Sequence, residues 1–413
     1  MTSSTTRHLV RGLYLAIAMS LSAGYVHAKT PAPVGYQAVT QAQIMQKPTA
    51  AEVLEIVFSP AQSSLYVSSP NWKDETLSRT LVLDPKTLEI KQEIPMEAKS
   101  FGVALDDAAN RLYLTQGFNG TIAVVDTAKN EVIKRIPVQE KINFQDTINA
   151  ADFGQARKDG LLKMMERFKI TEDFQYKMRE LVVDKKNHRV FAPGLGLGFD
   201  SVLFVVNTQT MELEKVLPGF GYNVVGITLD EANNRLFVSN MQGQLMVVNT
   251  QTLNIDQVLE IEADQLLNLS YDPAQNRLFG VDQGIDRDDA RNLHLEREYK
   301  RRSAGHQVFV LNADNGKTLA VMPTGEVPIG VRFDAESQRL FVANRGGVRE
   351  KEGKGSVSVF DTVNYKPLQT IELAPHPNSL EYIPAEKALY VSVKNDGNSK
   401  EKGTKERMVR IQF

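Results

Sequence analysis

One phrase recurs along almost the whole chain: Asn-Arg-Leu, then Tyr or Phe and Val, then a hydrophobic stretch that ends in Asp-Thr or Asn-Thr. The copies are clearest at 110–127, 234–250 and 338–362, and they are weaker at 188–208, 276–312, 64–85 and 388–413. Repeats of roughly 40–50 residues that contain several short strands are typical of β-propellers. The repeat therefore predicts an all-β protein, a seven-bladed β-propeller.

Residues 100–138 show how one copy is expected to fold. Three stretches rich in apolar and β-branched residues lie at 100–105, 111–115 and 121–126, separated by a tight Asp/Asn turn and by a loop that contains glycine. A fourth stretch, at 132–138, follows a second tight turn. Four antiparallel strands of this kind make one blade.

The ends of the chain indicate how the ring closes. The last copy ends after its third strand, at Val409–Phe413, so one blade lacks its outer strand. We expect Tyr36–Met45 to supply this strand, because that pairing closes the ring and removes an exposed sheet edge. The alternative is an open array with an unpaired edge.

The N-terminus has the pattern of an export signal. A basic start precedes the short apolar stretch Leu13–Leu21, and Val26–Ala28 has the small residues of a cleavage site. These features predict a signal peptide over 1–28, cleaved after Ala28, and a single propeller domain over 29–413 in a bacterial periplasm. The alternative is an uncleaved anchor helix. The chain has no cysteine and therefore no disulfide, and its net charge of -2 gives no overall attraction to nucleic acid or membranes.

Three stretches of the chain resemble a known family. The sequence RLFVSN…GQLMVVNTQTLNIDQVLEI, which starts at Arg235, is similar to the YVTN repeat of seven-bladed propellers. The C-terminal run SVSVFDTVNYKPLQTIELAPHPNSLEY…ALYVSVK and the stretch RELVVD at Arg179–Asp184 resemble the YncE-like family of exported bacterial propellers. The resemblance implies a periplasmic binding protein, linked with DNA binding and with iron-regulated uptake across the outer membrane.

The chain departs from that family in a long charged insertion at 139–178. Within it, Phe144–Gln175 is expected to be helical and to lie between blades two and three, since Ala151, Leu161, Leu162, Met165 and Phe168 recur at helical spacing. Asp152 or Asp159 is a candidate N-cap. The insertion either covers the central channel or packs on a neighbouring blade.

A second insertion, at 285–305, is rich in charge. Its acidic residues, Asp286, Asp288 and Asp289, have a spacing that allows a calcium site, although a solvated loop explains them as well because the glycine and distal glutamate of a calcium loop are absent. Its basic residues extend a locally basic sector on blades five to seven, diluted by interleaved acids. That sector contains Arg297, Lys300, Arg301, Arg302, Arg345, Arg349, Lys351, Lys354, Lys394, Lys400, Lys402, Lys405 and Arg407.

All the long connections are expected on one face of the propeller. With strands A to D counted from the inside of each blade, the A–B and C–D turns are short, and the long segments fall in the B–C or D–A loops. Long loops confined to a single face indicate a binding surface on a rigid scaffold.

Eleven residues in these loops are the candidate ligand-binding residues, chosen for their position near the channel. They are Trp72, Phe118, Asn119, Arg179, Tyr222, Asn223, Asn240, Arg345, His376, Asn378 and Lys394. Exposed rings among them, with Phe101, would stack on the bases of single-stranded DNA. Trp72 could equally fold onto its own blade. The partner is therefore single-stranded DNA or an envelope protein, met by a monomer without cofactor or metal.

No catalytic motif is visible in the sequence. There is no HExxH, no P-loop and no nucleophile motif, and the glycines at 194–198 do not open a helix. The single tryptophan and the absence of cysteine disfavour a quinone-cofactor dehydrogenase. We therefore expect no enzymatic activity. The alternative is a lactonase-like hydrolase with a metal held by Glu180, Asn223, Asn240 and Asp282.

Overall fold

The computed structural model of the protein describes residues 35–285 and 293–413. The expected signal peptide and the acidic residues Asp286, Asp288 and Asp289 lie outside these residues.

The described chain forms seven antiparallel blade sheets and a two-stranded sheet in the insertion, and six of the blades follow the chain directly from inner to outer strand. The strand that precedes them all is β1 (Ile44–Ala50). Blade one contains β2 (Ile56–Ser59), β3 (Ser64–Ser69), β4 (Arg79–Leu83) and β5 (Ile90–Pro95). Blade two contains β6 (Val103–Asp106), β7 (Arg111–Gln116), β8 (Thr121–Asp126) and β9 (Glu131–Pro137). The insertion carries β10 (Lys141–Asn143), α1 (Phe144–Ala150), α2 (Gln155–Phe168) and β11 (Glu172–Phe174).

Five more blades complete the set. Blade three contains β12 (Tyr176–Met178), β13 (Val182–Asp184), β14 (Arg189–Gly196), β15 (Val202–Asn207) and β16 (Glu212–Leu217). Blade four contains β17 (Ile227–Asp230), β18 (Arg235–Ser239), β19 (Gln244–Asn249) and β20 (Asn254–Glu260). Blade five contains β21 (Leu266–Asp272), β22 (Arg277–Asp282), β23 (Gln307–Asn312) and β24 (Thr318–Pro323). Blade six contains β25 (Pro328–Asp334), β26 (Arg339–Asn344), β27 (Ser356–Asp361) and β28 (Lys366–Glu372). Blade seven contains β29 (His376–Ile383), β30 (Ala388–Lys394) and β31 (Glu406–Gln412), with α3 (Gly397–Glu401) in its B–C loop.

The ring of inner strands is closed. Each inner strand contacts the next, from β2 to β6, β13, β17, β21, β25 and β29, and β29 contacts β2 again. The prediction of a closed seven-bladed propeller with a helical insertion between blades two and three is confirmed.

The strand that closes blade seven is β1, which pairs antiparallel with β31 from Ile44 opposite Ile411 to Ala50 opposite Glu406. Closure from the N-terminus is therefore confirmed, but the predicted bounds are wrong, because Tyr36–Met45 shares only two residues with β1. A 3₁₀ turn at Gln41–Gln43 interrupts the predicted segment. The residues before it are held by blade six, where the Gln369 side chain accepts from Val39 N and donates to Val39 O.

The core lies between blades, and one position of the repeat fills it in every copy. The third residue of each B strand is aromatic and at most 1% exposed: Tyr66, Tyr113, Phe191, Phe237, Phe279, Phe341 and Tyr390. Such rings bury a large apolar area on both faces of a blade. The repeated Leu-Tyr/Phe pattern in the sequence thus corresponds to the inter-blade core.

Hydroxyl groups on three of the B strands tie their blade to the next. Ser68 Oγ donates to Phe101 O at 2.6 Å, Thr115 Oγ1 donates to Arg179 O at 2.6 Å, and Ser239 Oγ donates to Leu266 O at 2.7 Å. The same hydroxyls accept backbone N–H groups from the inner strand of their own blade. These bonds fix the backbone just before β6 and β13, where candidate site residues lie.

The helical insertion packs on blade three. A Cβ on Gly198 would lie 2.3 Å from the Leu161 side chain, so this helix is in close contact with the B–C loop of blade three. Arg157 donates to Asp200 at 3.2 Å, and its guanidinium group lies 3.9 Å from the centre of the Phe153 ring. The helices begin at the N-caps Asn143 and Gly154, so the prediction of Asp152 or Asp159 as a cap is wrong. Of the two roles expected for the insertion, the structure shows packing on a neighbouring blade.

In the part of the chain that the structure describes, no helix is long and apolar enough to cross a membrane.

Candidate functional site

The loops of blades one and two bring three aromatic rings together, as the aromatic cluster of Trp72, Phe101 and Phe118. The Trp72 ring lies 5.2 Å from Phe101 and 6.0 Å from Phe118, edge-on in both cases, and Phe101 stacks on Phe118 at 5.8 Å. Trp72 and Phe118 remain 39% and 41% exposed. Trp72 therefore packs on rings of the next blade and still offers ring surface to a ligand.

Local hydrogen bonds hold these rings in place. The Phe101 carbonyl accepts from Ser68 on blade one, as described above. Asn119 Nδ2, next to Phe118, donates to Glu75 Oε2 at 3.3 Å and so links the B–C loops of the first two blades. Glu75 belongs to a 3₁₀ turn capped by Asp74, which accepts from Thr76 N. The aromatic cluster is thus anchored from both blades.

Two lysines flank the aromatic cluster. Lys99 Nζ lies 5.7 Å and Lys177 Nζ lies 5.1 Å from the centre of the Phe118 ring, within the range of a cation–π contact. Lys177 also pairs with Asp173 at 2.8 Å. Exposed rings beside ammonium groups can stack on a planar base and attract the phosphate next to it.

A second group, the channel cluster of Glu55, Arg179, Glu180, Arg345 and Asn378, lies where inner strands approach one another. Asn378 Nδ2 faces Glu55 Oε1 at 3.4 Å, and Arg345 Nη1 faces Asn378 Oδ1 at 3.5 Å. Gly102 N donates to the Arg179 carbonyl at 2.9 Å, and a Cβ on Gly102 would come within 2.1 Å of that oxygen. Only glycine therefore lets blades two and three approach so closely at this point.

Loss of hydration dominates the electrostatics of the channel cluster. Burial, reinforced by the nearby Glu55 carboxylate, raises the pKa of Glu180 to about 8, although Arg179 opposes the shift. Burial also raises the pKa of Glu55, against hydrogen bonds from Ser379 and Asn378 and the charge of Arg179. The pKa of Arg345 is lowered by burial and then by Arg179. At neutral pH Glu180 therefore holds a proton for most of the time, and the positive charge of the two guanidinium groups exceeds the negative charge of the cluster.

His376 extends the channel cluster towards blade seven. Burial and the charge of Arg345 lower its pKa to about 4, so the imidazole is neutral at physiological pH. His376 Nδ1 and Arg345 Nε are both buried without a hydrogen-bond partner. A buried polar atom without a partner destabilises the fold unless a ligand or a water molecule forms a hydrogen bond with it.

The Glu180→Gln variant is expected to change how stability depends on pH. The folded protein retains a proton on Glu180 that the unfolded chain releases near 4.5, so the free energy of unfolding falls as pH rises from 4.5 to about 8. This contribution has a slope of up to about 1.4 kcal/mol per pH unit. Urea unfolding at a series of pH values should show that the variant loses much of this slope, whereas Glu131→Gln on an exposed outer strand retains it. Parallel pH profiles for the parent and Glu180→Gln would contradict the assignment.

Three of the candidate ligand-binding residues are engaged within the protein. Lys394 is buried and pairs with Glu52 and Glu406. Asn240 uses its amide to donate to Phe220 O and Gln244, and Tyr222 is buried in the core with its backbone N–H bonded to Gln242. A position in a loop does not determine the direction of a side chain, and a ligand at these positions would have to displace the contacts just given. The assignment of the three residues to a ligand site stays a prediction.

Much of the predicted basic sector is engaged within the protein. Arg297 and Arg302 share Glu260, and Arg301 donates to the carbonyls of Gly284, Ser303 and Ala304. Lys351 pairs with Glu401 and Lys354 with Glu350. The expected basic field on blades five to seven is therefore weakened, and so is the charge of Lys177, which pairs with Asp173 at 2.8 Å. Lys99 beside the aromatic cluster becomes the better phosphate contact.

The residues considered for a metal-dependent hydrolase fall into separate groups. Glu180 faces Glu55 and Arg179, Asn240 bonds within blade four, and Asp282 neighbours Asp264 on blade five. Asn223 is half-buried in a strained left-handed turn with φ of 49°. Among residues 35–285 and 293–413, no group of three His, Cys, Asp or Glu side chains is placed to hold a metal ion.

Sequence reasoning missed Glu55, Lys99 and Lys177. A carboxylate in the apolar inner stretch Val53–Phe58 was a signal for Glu55, because a charged residue there must face the channel or a partner. The two lysines gave no signal, since only the fold brings residues 99 and 177 to the same ring.

The chain is similar to known proteins along most of its length. It is 24% identical over 367 residues to the Uncharacterized protein YncE of Salmonella typhimurium, covering 87% of this chain and 88% of that one. It is 25% identical over 364 residues to the Uncharacterized protein YncE of Escherichia coli, covering 88% of each chain. No family model matches the chain.

Solved structures share the fold at low sequence identity. Hydrazine synthase of Kuenenia stuttgartiensis matches with a TM-score of 0.60 at 14% identity, covering 94% of this chain and 99% of that one. The β-propeller domain of Cps50 (Swd1) from Myceliophteria thermophila matches with a TM-score of 0.59 at 9% identity, covering 90% and 99%. With the closed ring of seven blades and the similarity to YncE, the chain is a YncE-like seven-bladed β-propeller.

Proposed function

We propose that the protein is a non-catalytic periplasmic binding propeller that meets single-stranded DNA at the face carrying its long loops. The aromatic cluster carries this proposal. Three rings in mutual contact, two of them about two-fifths exposed, lie beside two ammonium groups. Base stacking combined with phosphate attraction is the usual way in which proteins hold an unpaired strand.

The channel cluster supports the same proposal from the centre of the face. Arg179 and Arg345 place two guanidinium groups near each other, and Arg345 has a buried Nε without a partner. Guanidinium groups in this state attract phosphate oxygens. A DNA strand that stacks on Trp72 and runs towards the central channel would meet these two guanidinium groups as a second set of cations. Export to the periplasm rests on the N-terminal segment that lies outside the described residues.

Single-stranded DNA binding is tested by fluorescence anisotropy with a labelled oligothymidine at low salt. We expect Trp72→Ala to weaken binding by roughly 1–3 kcal/mol, because it removes a stacking surface. Lys99→Gln should weaken binding less than Trp72→Ala does. It should also reduce the slope of log K against log salt concentration by about 0.7 for each phosphate contact that is lost. Neither change removes a buried hydrogen bond of the propeller, so both variants should stay folded.

Blade two offers matched controls on its outer strand. Ile133 is 39% exposed, like Trp72, and Lys134 is an exposed lysine beside it. Ile133→Ala and Lys134→Gln should bind as the parent does. An affinity that Trp72→Ala and Lys99→Gln leave unchanged, or no binding at low salt, would contradict the proposal and would leave an envelope protein as the ligand class to test.

A further inference from the structure

Blade five contains two buried carboxylates that take no part in closing the ring. Asp264 precedes β21 and is 1% exposed, and Asp282 ends β22 and is fully buried. Their chain segments run side by side, since Gln283 N donates to Gln265 O at 3.4 Å and Leu266 pairs with Asp282. The Asp264 charge contributes to the raised pKa of Asp282, which agrees with this adjacency of their chain segments.

Among the described residues, four oxygen atoms on these neighbouring segments have no hydrogen-bond partner. They are Asp264 Oδ1, Asp282 Oδ1, Asp282 Oδ2 and the amide oxygen of the fully buried Gln265. Asp264 Oδ2 accepts from Arg302 N at 2.8 Å. The Ser303 hydroxyl and the backbone N–H groups of Asp264 and Gly284 face the Asp282 carboxylate without meeting its oxygens in hydrogen-bond geometry. Gln265 turns its Nε2 to Ile285 O and Tyr299 OH, which leaves its oxygen free.

Of the described arginines nearby, Arg301 and Arg302 direct their guanidinium groups to other partners. Arg301 donates to the carbonyls of Ser303, Gly284 and Ala304. The Arg302 guanidinium donates to Gly243 O and Ile261 O and approaches Glu260. Burial and the Asp264 charge raise the pKa of Asp282 to about 6, so at neutral pH this buried carboxyl is mostly ionised. Burial also raises the pKa of Asp264. Buried charges are normally paired or bound to a metal.

We propose that Asp264, Gln265 and Asp282 form a calcium site. Ca²⁺ takes carboxylate and amide oxygens, accepts a bidentate carboxylate and tolerates irregular geometry, all of which this set of oxygens offers. A divalent ion balances the two negative charges. Mg²⁺ fits less well, because it keeps several waters and demands an octahedral arrangement. The site lies apart from the aromatic cluster and the channel cluster, and it would stiffen the D–A and B–C loops of blade five.

The test measures the thermal unfolding of the purified full chain after treatment with EDTA. Millimolar Ca²⁺ should raise the melting temperature saturably, since an ion that binds only the folded protein stabilises it by mass action. Mg²⁺ and NaCl at the same ionic strength should do much less. Isothermal titration should give one Ca²⁺ site, and its affinity should fall at least about tenfold in Asp282→Asn and in Asp264→Asn, each of which removes one ligand charge.

Two controls keep the result decisive. Replacing Asp286, Asp288 and Asp289 together by Asn should leave the Ca²⁺ effect intact, and circular dichroism should show that Asp282→Asn is folded. If the two carboxylates share a proton instead, Ca²⁺ will not stabilise the parent, and the parent will lose stability as pH rises from 3.8 to about 6 while Asp282→Asn will not. That outcome, or a Ca²⁺ effect that only the triple replacement removes, would overturn the proposal.

Discussion

A variant that begins after Ala50 is expected to lose roughly 5 kcal/mol or more of folding free energy and to aggregate at concentrations that the parent tolerates. It lacks β1 and therefore leaves β31 as an unpaired edge over the six positions from Glu406 to Ile411. Backbone hydrogen bonds contribute about 0.5–1.5 kcal/mol each, and an open edge invites pairing between molecules. Thr49 Oγ1, which accepts from Met408 N at 3.2 Å, is lost as well.

A shorter truncation is the matched control. A variant that begins after Thr40 loses the contacts of Tyr36 and Val39 with Gln369 but retains β1. Differential scanning calorimetry and light scattering of the two truncations should place this variant within a few degrees of the parent. Equal melting temperatures for the two truncations would show that β1 does not stabilise the ring.

The repeat was sufficient to predict the blades because every copy repeats the same packing requirement. A ring such as Tyr113 or Phe237 must be buried between sheets in each copy, so the hydrophobic pattern survives even where the loops diverge. The number of blades and closure by the N-terminus follow from counting these copies. The bounds of β1 did not follow, since the 3₁₀ turn at Gln41–Gln43 depends on Gln43 bonding to Thr40 and to the distant Gln412 carbonyl.

The site was only partly predictable, for a different reason. Trp72 and Phe118 were identified from their position in loops near the channel, whereas Lys99 and Lys177 acquire their role only through the approach of blades two and three. The B-strand hydroxyls, for example those of Ser68 and Thr115, were not predicted as links to the next blade, because their acceptors lie far away in the sequence. Chain topology thus predicts the face on which a residue lies, and packing decides whether its side chain reaches solvent.

Lys394 shows this difference most clearly, and its replacement should have a large effect on stability. Its Nζ lies 2.7 Å from Glu52 and 2.9 Å from Glu406, and Glu406 is fully buried while also accepting from Val53 N and Asn395 N. These contacts join β30 and β31 of blade seven to the residues before β2, beside the seam where the ring closes. Lys394→Met would leave two carboxylates facing each other without a cation, and removing one partner of a buried pair costs about 3–5 kcal/mol.

Urea unfolding of Lys394→Met should therefore show a loss of about 3–5 kcal/mol, with much of it recovered when Glu406→Gln is added, because the second change removes the unpaired charge. Lys351→Met is the control, since Lys351 and Glu401 are 76% and 65% exposed and such a pair contributes at most about 1 kcal/mol. Binding of the oligothymidine by folded Lys394→Met should match the parent. A variant that keeps the stability of the parent and loses affinity instead would return Lys394 to the ligand site and would contradict its role in the seam.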